Sequence, residues 1–141
     1  MMLQVGVKVL LKNGEGKILI LKRSEEKYGT INGLWDIPGG RIDPGSELIE
    51  NLKRELKEET QLTLFSKPKL IAAQDILTWA DRHVVRLTYV ASGDGEAILL
   101  DPSENVEYRW VTFDELEAEG DLDIFVKQLI ASGELNADSW K

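Results

Sequence analysis

Residues 38–62, PGGRIDPGSELIENLKRELKEETQL, constrain the fold more than any other stretch of the chain. Pro38-Gly39-Gly40 cannot continue a strand or start a helix without a sharp turn. Adjacent glycines also let the backbone take positive φ and come close to a ligand. Pro44-Gly45-Ser46 is a second break, and Ser46 is placed to cap the helix that follows. At about 100° per residue, Leu48, Ile49, Leu52 and Leu56 fall on one arc, the expected core face. Glu50, Lys53 and Lys57 fall opposite, toward water. Glu55 and Glu59 lie one turn apart on the same side. Glu59 lands inside the apolar arc beside Leu48 and Leu52, with Glu55 and Glu58 flanking it.

Carboxylates set against a core are costly unless something pairs with them. Several together also repel and favour protonation. A hard divalent cation answers both problems, since magnesium and manganese prefer oxygen ligands and magnesium sites commonly combine carboxylates with substrate phosphates. The competing reading of the same residues is a solvated Glu–Lys helix laced by i,i+4 salt bridges. The glycine loop before the helix and the apolar-side position of Glu59 weigh against it.

Gly40, followed by Arg54, Glu55, Leu56, Glu58, Glu59 and Leu62 at matching spacing, resembles the signature of the Nudix hydrolases: a Gly, spaced Glu, then Arg-Glu-aliphatic-x-Glu-Glu-x-Gly-aliphatic. The flanking Trp35-Asp36-Ile37-Pro38 and Tyr108-Arg109-Trp110-Val111 also look like the family. Ser46 stands where the family usually has its first Glu, with Glu47 next, and Gln61 stands where it has its closing Gly. The resemblance implies an α/β fold, a Nudix-type α/β/α sandwich with a mixed sheet between helices. It implies metal-dependent hydrolysis of the pyrophosphate bond in a nucleoside diphosphate linked to another group. Arg54, Glu55, Glu58 and Glu59 would be catalytic. Glu55, Glu58, Glu59, the Gly39 carbonyl and Glu104 would hold Mg2+ or Mn2+, and Arg23, Trp35 and Gly40 would contact substrate. Arg54 would orient the carboxylates by ion pairing, and a Glu would take the proton of the attacking water. The proline that marks many ADP-ribose members and the tyrosine of dinucleoside polyphosphate members are absent, which favours normal or oxidised nucleoside triphosphates. ADP-ribose or a nucleotide sugar is the alternative substrate. A nucleotide-binding sensor with little hydrolysis is a further alternative, motivated by Ser46 and Gln61.

The remaining chain reads as scaffold. Its 141 residues suit one domain with one core. There is no cysteine, hence no disulfide framework and no thiolate metal site. The start lacks the pattern of a secretory signal and no apolar run reaches membrane-spanning length, so a cytoplasmic protein is expected. A net charge of −8 argues against a nucleic-acid polymer as partner but leaves a metal-bound phosphate ligand open. A small nucleotide is the expected partner, with a homodimer as a further option.

Alternation predicts strands over residues 3–11, 17–23, 33–37, 83–91 and 108–111, with another strand within 64–78 and Pro68 at its start or edge. Asn13-Gly14-Glu15-Gly16 is a hairpin turn and residues 79–82 are another turn. Residues 24–32, 92–96 and 101–107 read as loops. Thr112 with Glu115 forms a capping box for a short helix, and residues 121–132 form the last helix, burying Ile124, Phe125, Leu129 and Ile130. On residue type alone, Arg23 reads as an ordinary strand-end charge, Trp35 as core, and His83, the only histidine, as structural. Trp140 docks on the body or on a second subunit.

Overall fold

The computed structural model describes residues 1–29, 32–93 and 98–141. Parts of the predicted loops at 24–32 and 92–96 (residues 30–31 and 94–96) lie outside the described residues. Strand β1 (Met2–Lys12) is the spine of a mixed sheet. Along its whole length it runs parallel to β6 (Arg82–Ser92), and β5 (Lys69–Ile76) adds antiparallel on the outer side of β6. The other edge of β1 is shared. Gly6, Val7 and Lys8 pair with β4 (Gly39–Arg41), and Lys12 pairs with Ile18 at the start of β2 (Ile18–Arg23). β2 carries β3 (Trp35–Asp36) and β7 (Asn105–Val111).

The period-2 alternation of the strands splits their side chains between two cores. Val7, Val9, Leu11, Leu19 and Leu21 pack with Leu52 and Leu56 of helix α2 (Leu48–Thr60). Leu10, Ile18 and Ile20 pack with Val126 and Leu129 of helix α4 (Ile124–Ser132). The sheet is therefore covered by helices on both faces, the expected α/β/α sandwich. The capping box of the short helix α3 (Phe113–Ala118) is present: the Glu115 amide donates to Thr112 Oγ1 at 3.2 Å, and the Thr112 amide donates to Glu115 Oε1 at 3.0 Å. Trp140 docks on the body, its indole N–H donating to the Leu10 carbonyl at 3.1 Å. His83 pairs with Asp75 across β5 and β6 at 2.7 Å.

Several local expectations are corrected. Residues 39–41 are a strand, because β1 pairs with them and fixes the backbone despite the two glycines. Residues Glu25–Tyr28 form a single helical turn, α1, within the expected loop. β7 begins at Asn105, three residues before the expected strand start, because β2 pairs with it as far as Arg23. In α4, Val126 is fully buried whereas Ile130 is only partly so. In α2, Leu48 is 37% exposed because it opens the helix, one turn short of the sheet contact made by Leu52.

Ser46 does not cap α2. The N-cap residue is Glu47, in extended conformation and without a side-chain cap bond, while the Ser46 amide donates to the Asp43 carbonyl. Asn51, fully buried, makes the connection instead: its amide donates to the Glu47 carbonyl at 2.8 Å and its oxygen accepts from the Asp43 amide at 3.0 Å. At the other end, Gln61 closes the helix in the left-handed region (φ 65°, ψ 9°). A side chain there costs roughly 1 kcal/mol, partly offset in glycine by its freer unfolded chain. Gln61→Gly is therefore expected to raise stability by about 0.5 kcal/mol, read as a higher urea midpoint at unchanged slope. A lower midpoint would show that the bond from Gln61 Nε2 to the Lys57 carbonyl outweighs the strain.

Candidate active site

Two glycines bring β4 against helix α2. A Cβ on Gly39, at φ 144°, would lie 2.0 Å from the Val7 carbonyl oxygen. A Cβ on Gly40 would lie 2.7 Å from the Glu55 carboxyl group. Bare backbone at both positions lets the Gly39 amide donate to Glu59 Oε1 at 2.9 Å. Asn105 Nδ2, from the start of β7, reaches the other Glu59 oxygen at 3.4 Å. Burial pushes the Glu59 carboxyl up to about 7, aided by Glu55 and Asp36, while Lys8 and the Gly39 amide pull it down. Burial also raises Glu55; Arg54 opposes the rise and Glu58 adds to it. Arg54 spans the helix surface, 3.3 Å from both Glu55 and Glu58 and 3.2 Å from Asp43. The guanidinium also donates to Asn51 at 2.9 Å.

Gly39, Gly40, Glu55, Glu58, Glu59 and Asn105 line an open cleft of about 1060 Å3, whereas Arg54 stands outside it and reaches only the carboxylates at its edge. Within it lies an ionic cluster drawn from four strands and the cap of α4. Lys8 is 2.9 Å from Asp36. Arg23 lies 3.4 Å from Asp36 and 3.1 Å from Asp123. Arg86 lies 3.2 Å from Asp36 and 3.3 Å from Asp123. Burial alone would raise Asp36, but Lys8, Arg86 and Arg23 outweigh it and hold the carboxyl well below the usual range. Asp123, which caps α4 through the Phe125 and Val126 amides, is raised by burial and by Asp36.

The structure brings Gly39, Gly40, Glu55, Glu58, Glu59, Glu104 and Arg23 to the walls of this one cleft. Arg23 is engaged by Asp36, Asp123 and the Gly33 carbonyl. Glu104 is engaged by Lys27 and Tyr28 of α1, which hold its carboxyl below the ordinary value. Trp35 is not at the cleft, which corrects its expected place at the substrate. Successive side chains of a strand point opposite ways. Asp36 meets the ionic cluster, while Trp35 is buried in the α4-side core with the Arg109 guanidinium 5.1 Å over its ring. Lys8, Asp36, Asn51, Arg86, Asn105 and Asp123 are site or support residues that sequence reasoning missed. Arg86 carried a signal, since it shares strand parity with Val84, Thr88 and Val90, all buried.

Among the described residues, no three acidic, histidine or cysteine side chains already converge as a ligand set. The donor chemistry nevertheless fits a hard cation. Glu59 is partly buried with an upward-shifted carboxyl, and Glu55 lies beside the like-charged Glu58, so a divalent ion would relieve both.

A family model of the NUDIX domain matches residues 2–132. The chain belongs to this family. Among NUDIX relatives, a Bacillus subtilis (strain 168) protein with the provisional name 8-oxo-dGTP diphosphatase is 30% identical over 107 residues, 76% of this chain and 65% of that protein. The nucleoside triphosphatase NudI of Salmonella typhimurium is 32% identical over 93 residues, 64% of this chain and 58% of the relative. The chain thus spans about two thirds or less of the length of these curated relatives. The crystal structure of a MutT protein from Methanosarcina mazei Go1 superposes with a TM-score of 0.78 at 26% identity, covering 93% of this chain and 92% of that one. The E. coli ORF135 protein shares the fold, with a TM-score of 0.70 at 20% identity over 94% of each chain.

Proposed function

We propose that this chain is a metal-dependent pyrophosphohydrolase that converts a normal or oxidised nucleoside triphosphate to the monophosphate and pyrophosphate. The observation that carries the proposal is the meeting of the Gly39 amide, Glu59 and Glu55 at the wall of a cleft that also holds five cationic side chains, Lys8, Arg23, Arg41, Arg82 and Arg86. The names of the Bacillus and Salmonella relatives favour triphosphate substrates. Glu55, Glu58 and Glu59, with the Gly39 carbonyl, would hold Mg2+ or Mn2+, and Glu104 would join them on leaving Lys27 and Tyr28. When bound, the ion supplies charge neutralisation at the pyrophosphate oxygens and a more acidic water. Arg54 orients Glu55 and Glu58, and a glutamate not engaged as a ligand takes the proton of the attacking water. We read all 141 residues as one domain acting on the cytoplasmic nucleotide pool; among the described residues, no helix is long and apolar enough to cross a membrane.

The alternative of a sensor without turnover rested on Ser46 and Gln61. Asn51 ties the loop to the helix in place of a cap, and Gln61 closes the helix in the conformation a glycine would take. Ser46 bonds to Asp43 and Gln61 to Lys57, and Glu55 and Glu59 are both present at the cleft, which favours hydrolysis. The test is a panel of nucleoside triphosphates, 8-oxo-dGTP, ADP-ribose and nucleotide sugars with magnesium, scored for release of pyrophosphate or phosphate. Activity is expected to vanish with excess chelator and to return with magnesium or manganese. Full turnover in excess chelator would overturn the mechanism.

A further inference from the structure

We infer that the cleft carries a second anion subsite, built from Arg41, Trp79 and Arg82, which takes a phosphate of the ligand other than the pyrophosphate held at the glutamates. The inference rests on the pyrophosphohydrolase reading above. All three residues line the cleft. Arg41 ends β4, Arg82 opens β6, and Trp79 lies in the turn before β6. Of the five cations at the cleft, Lys8, Arg23 and Arg86 share Asp36 and Asp123. Arg41 and Arg82 stand outside that cluster. Among the described residues Arg41 has no carboxylate partner, and its Nη1 donates to the neutral Gln4 Oε1 at 2.7 Å. Arg82 has only its chain neighbour Asp81, at 3.3 Å, whose carboxylate is largely exposed. An exposed pair of this kind neutralises little.

The two guanidiniums are nevertheless held together. Arg41 pairs with Gly6 in register, and its stem passes over that bare position, with Cδ 3.8 Å from where a Cβ on Gly6 would stand. The Arg41 and Arg82 guanidinium carbons then lie 5.2 and 5.5 Å from the centre of the Trp79 ring. One indole thus orders two cations. Burial, and next the charge of Arg82, push Arg41 below its ordinary value. Two like charges gathered without a counter-ion repel, and a bound anion would relieve both. The planar fork of arginine matches phosphate oxygens in particular.

The subsite is set apart from the glutamates. Gly39 stands opposite Lys8 on β1, whereas Arg41 stands opposite Gly6 and reaches on to Gln4. Two to four residues of strand, at about 3.3 Å each, make about 7 to 13 Å. That offset suits a phosphate further along the ligand, either the terminal phosphate of a triphosphate or a phosphate on the ribose. The competing role is structural: the two arginines pin the turn before β6 through Trp79, and no anion binds.

The experiment titrates inorganic phosphate into the 15N-labelled, metal-free protein and follows the Arg41 and Arg82 Nε–H and Trp79 indole N–H signals by NMR. Saturable shifts are expected at all three. In Arg41→Gln and Arg82→Gln, checked for fold by circular dichroism, the affinity read at the remaining two signals should fall about tenfold or more. No saturable shift at these groups, or an unchanged affinity in folded variants, would overturn the inference. The source of the phosphate is read from kcat/KM with magnesium. A preference for GTP over GDP that is lost in both variants assigns the terminal phosphate. A preference for guanosine 3′-phosphate 5′-triphosphate over GTP that is lost in both assigns the ribose phosphate. If neither ratio moves in the variants, the subsite does not serve the ligand and the inference is overturned. If no nucleotide is hydrolysed, the enzyme reading fails instead, and the phosphate titration alone decides the subsite.

Discussion

Glu59→Gln is expected to lower turnover by at least about a hundredfold while making the metal-free protein more stable at alkaline pH. The folded-state value of this carboxyl is about 7 against the usual 4.5, with burial as the main cause. A carboxyl raised in the folded state stabilises the fold when protonated. Its contribution is fully present below the unfolded value and is lost as pH rises through the folded one. Between about pH 4.5 and 7, the metal-free wild type should therefore lose about 3 kcal/mol of stability at this site. Glutamine keeps the size of the side chain and an acceptor for the Gly39 amide, and it carries no charge. The variant should show a flatter pH dependence and a higher melting temperature at pH 8 without metal. Added magnesium should narrow the gap by stabilising the wild type more. Thermal melts at pH 5, 6.5 and 8, with and without magnesium, would test this. Parallel pH dependences for the two proteins would mean that Glu59 ionises freely, and the buried-carboxylate account of the site would fail.

What could be read from the chain alone was what is locally determined. The alternation of residues 3–11 and 83–91, the Thr112–Glu115 capping box and the spacing of Glu55, Glu58 and Glu59 each need only a few neighbouring residues. The missed features depend on segments far apart. Pro38-Gly39-Gly40 reads locally as a break and becomes strand only because Val7 and Lys8 of β1 pair with it. Ser46 has the chemistry of a cap, yet the buried amide of Asn51 takes the connecting bonds. Lys8, Asp36, Arg86 and Asp123 come from four elements, and only the parallel docking of β1 on β6 and the arrival of α4 bring them together. Trp35 and Asp36 are adjacent and part company because β3 is extended. The tie from Lys27 and Tyr28 to Glu104 depends on a helical turn within a stretch whose composition is that of a loop.

The glycine pair offers the sharpest separation of fold from chemistry. In Gly39→Ala the added Cβ would lie 2.0 Å from the Val7 carbonyl oxygen and 2.7 Å from the Lys8 Cα, at a φ of 144° that other residues rarely adopt. Both obstacles are backbone of the central strand and cannot move without breaking the pairing of β1 with β4. The expected loss is roughly 3 kcal/mol or more. In Gly40→Ala the added Cβ would meet Glu55 Cδ and Oε2 at 2.7 Å, the far end of a flexible side chain. That carboxylate can swing aside, so stability should change by about 1 kcal/mol or less. The swing moves a group the chemistry needs, and turnover should fall by about tenfold or more. Urea unfolding and kcat measured on the same two variants separate the cases. A Gly39→Ala protein with a wild-type midpoint would refute the close approach of β4 to β1. A stable Gly40→Ala protein with wild-type turnover would show that the carboxylate position of Glu55 does not matter to the reaction.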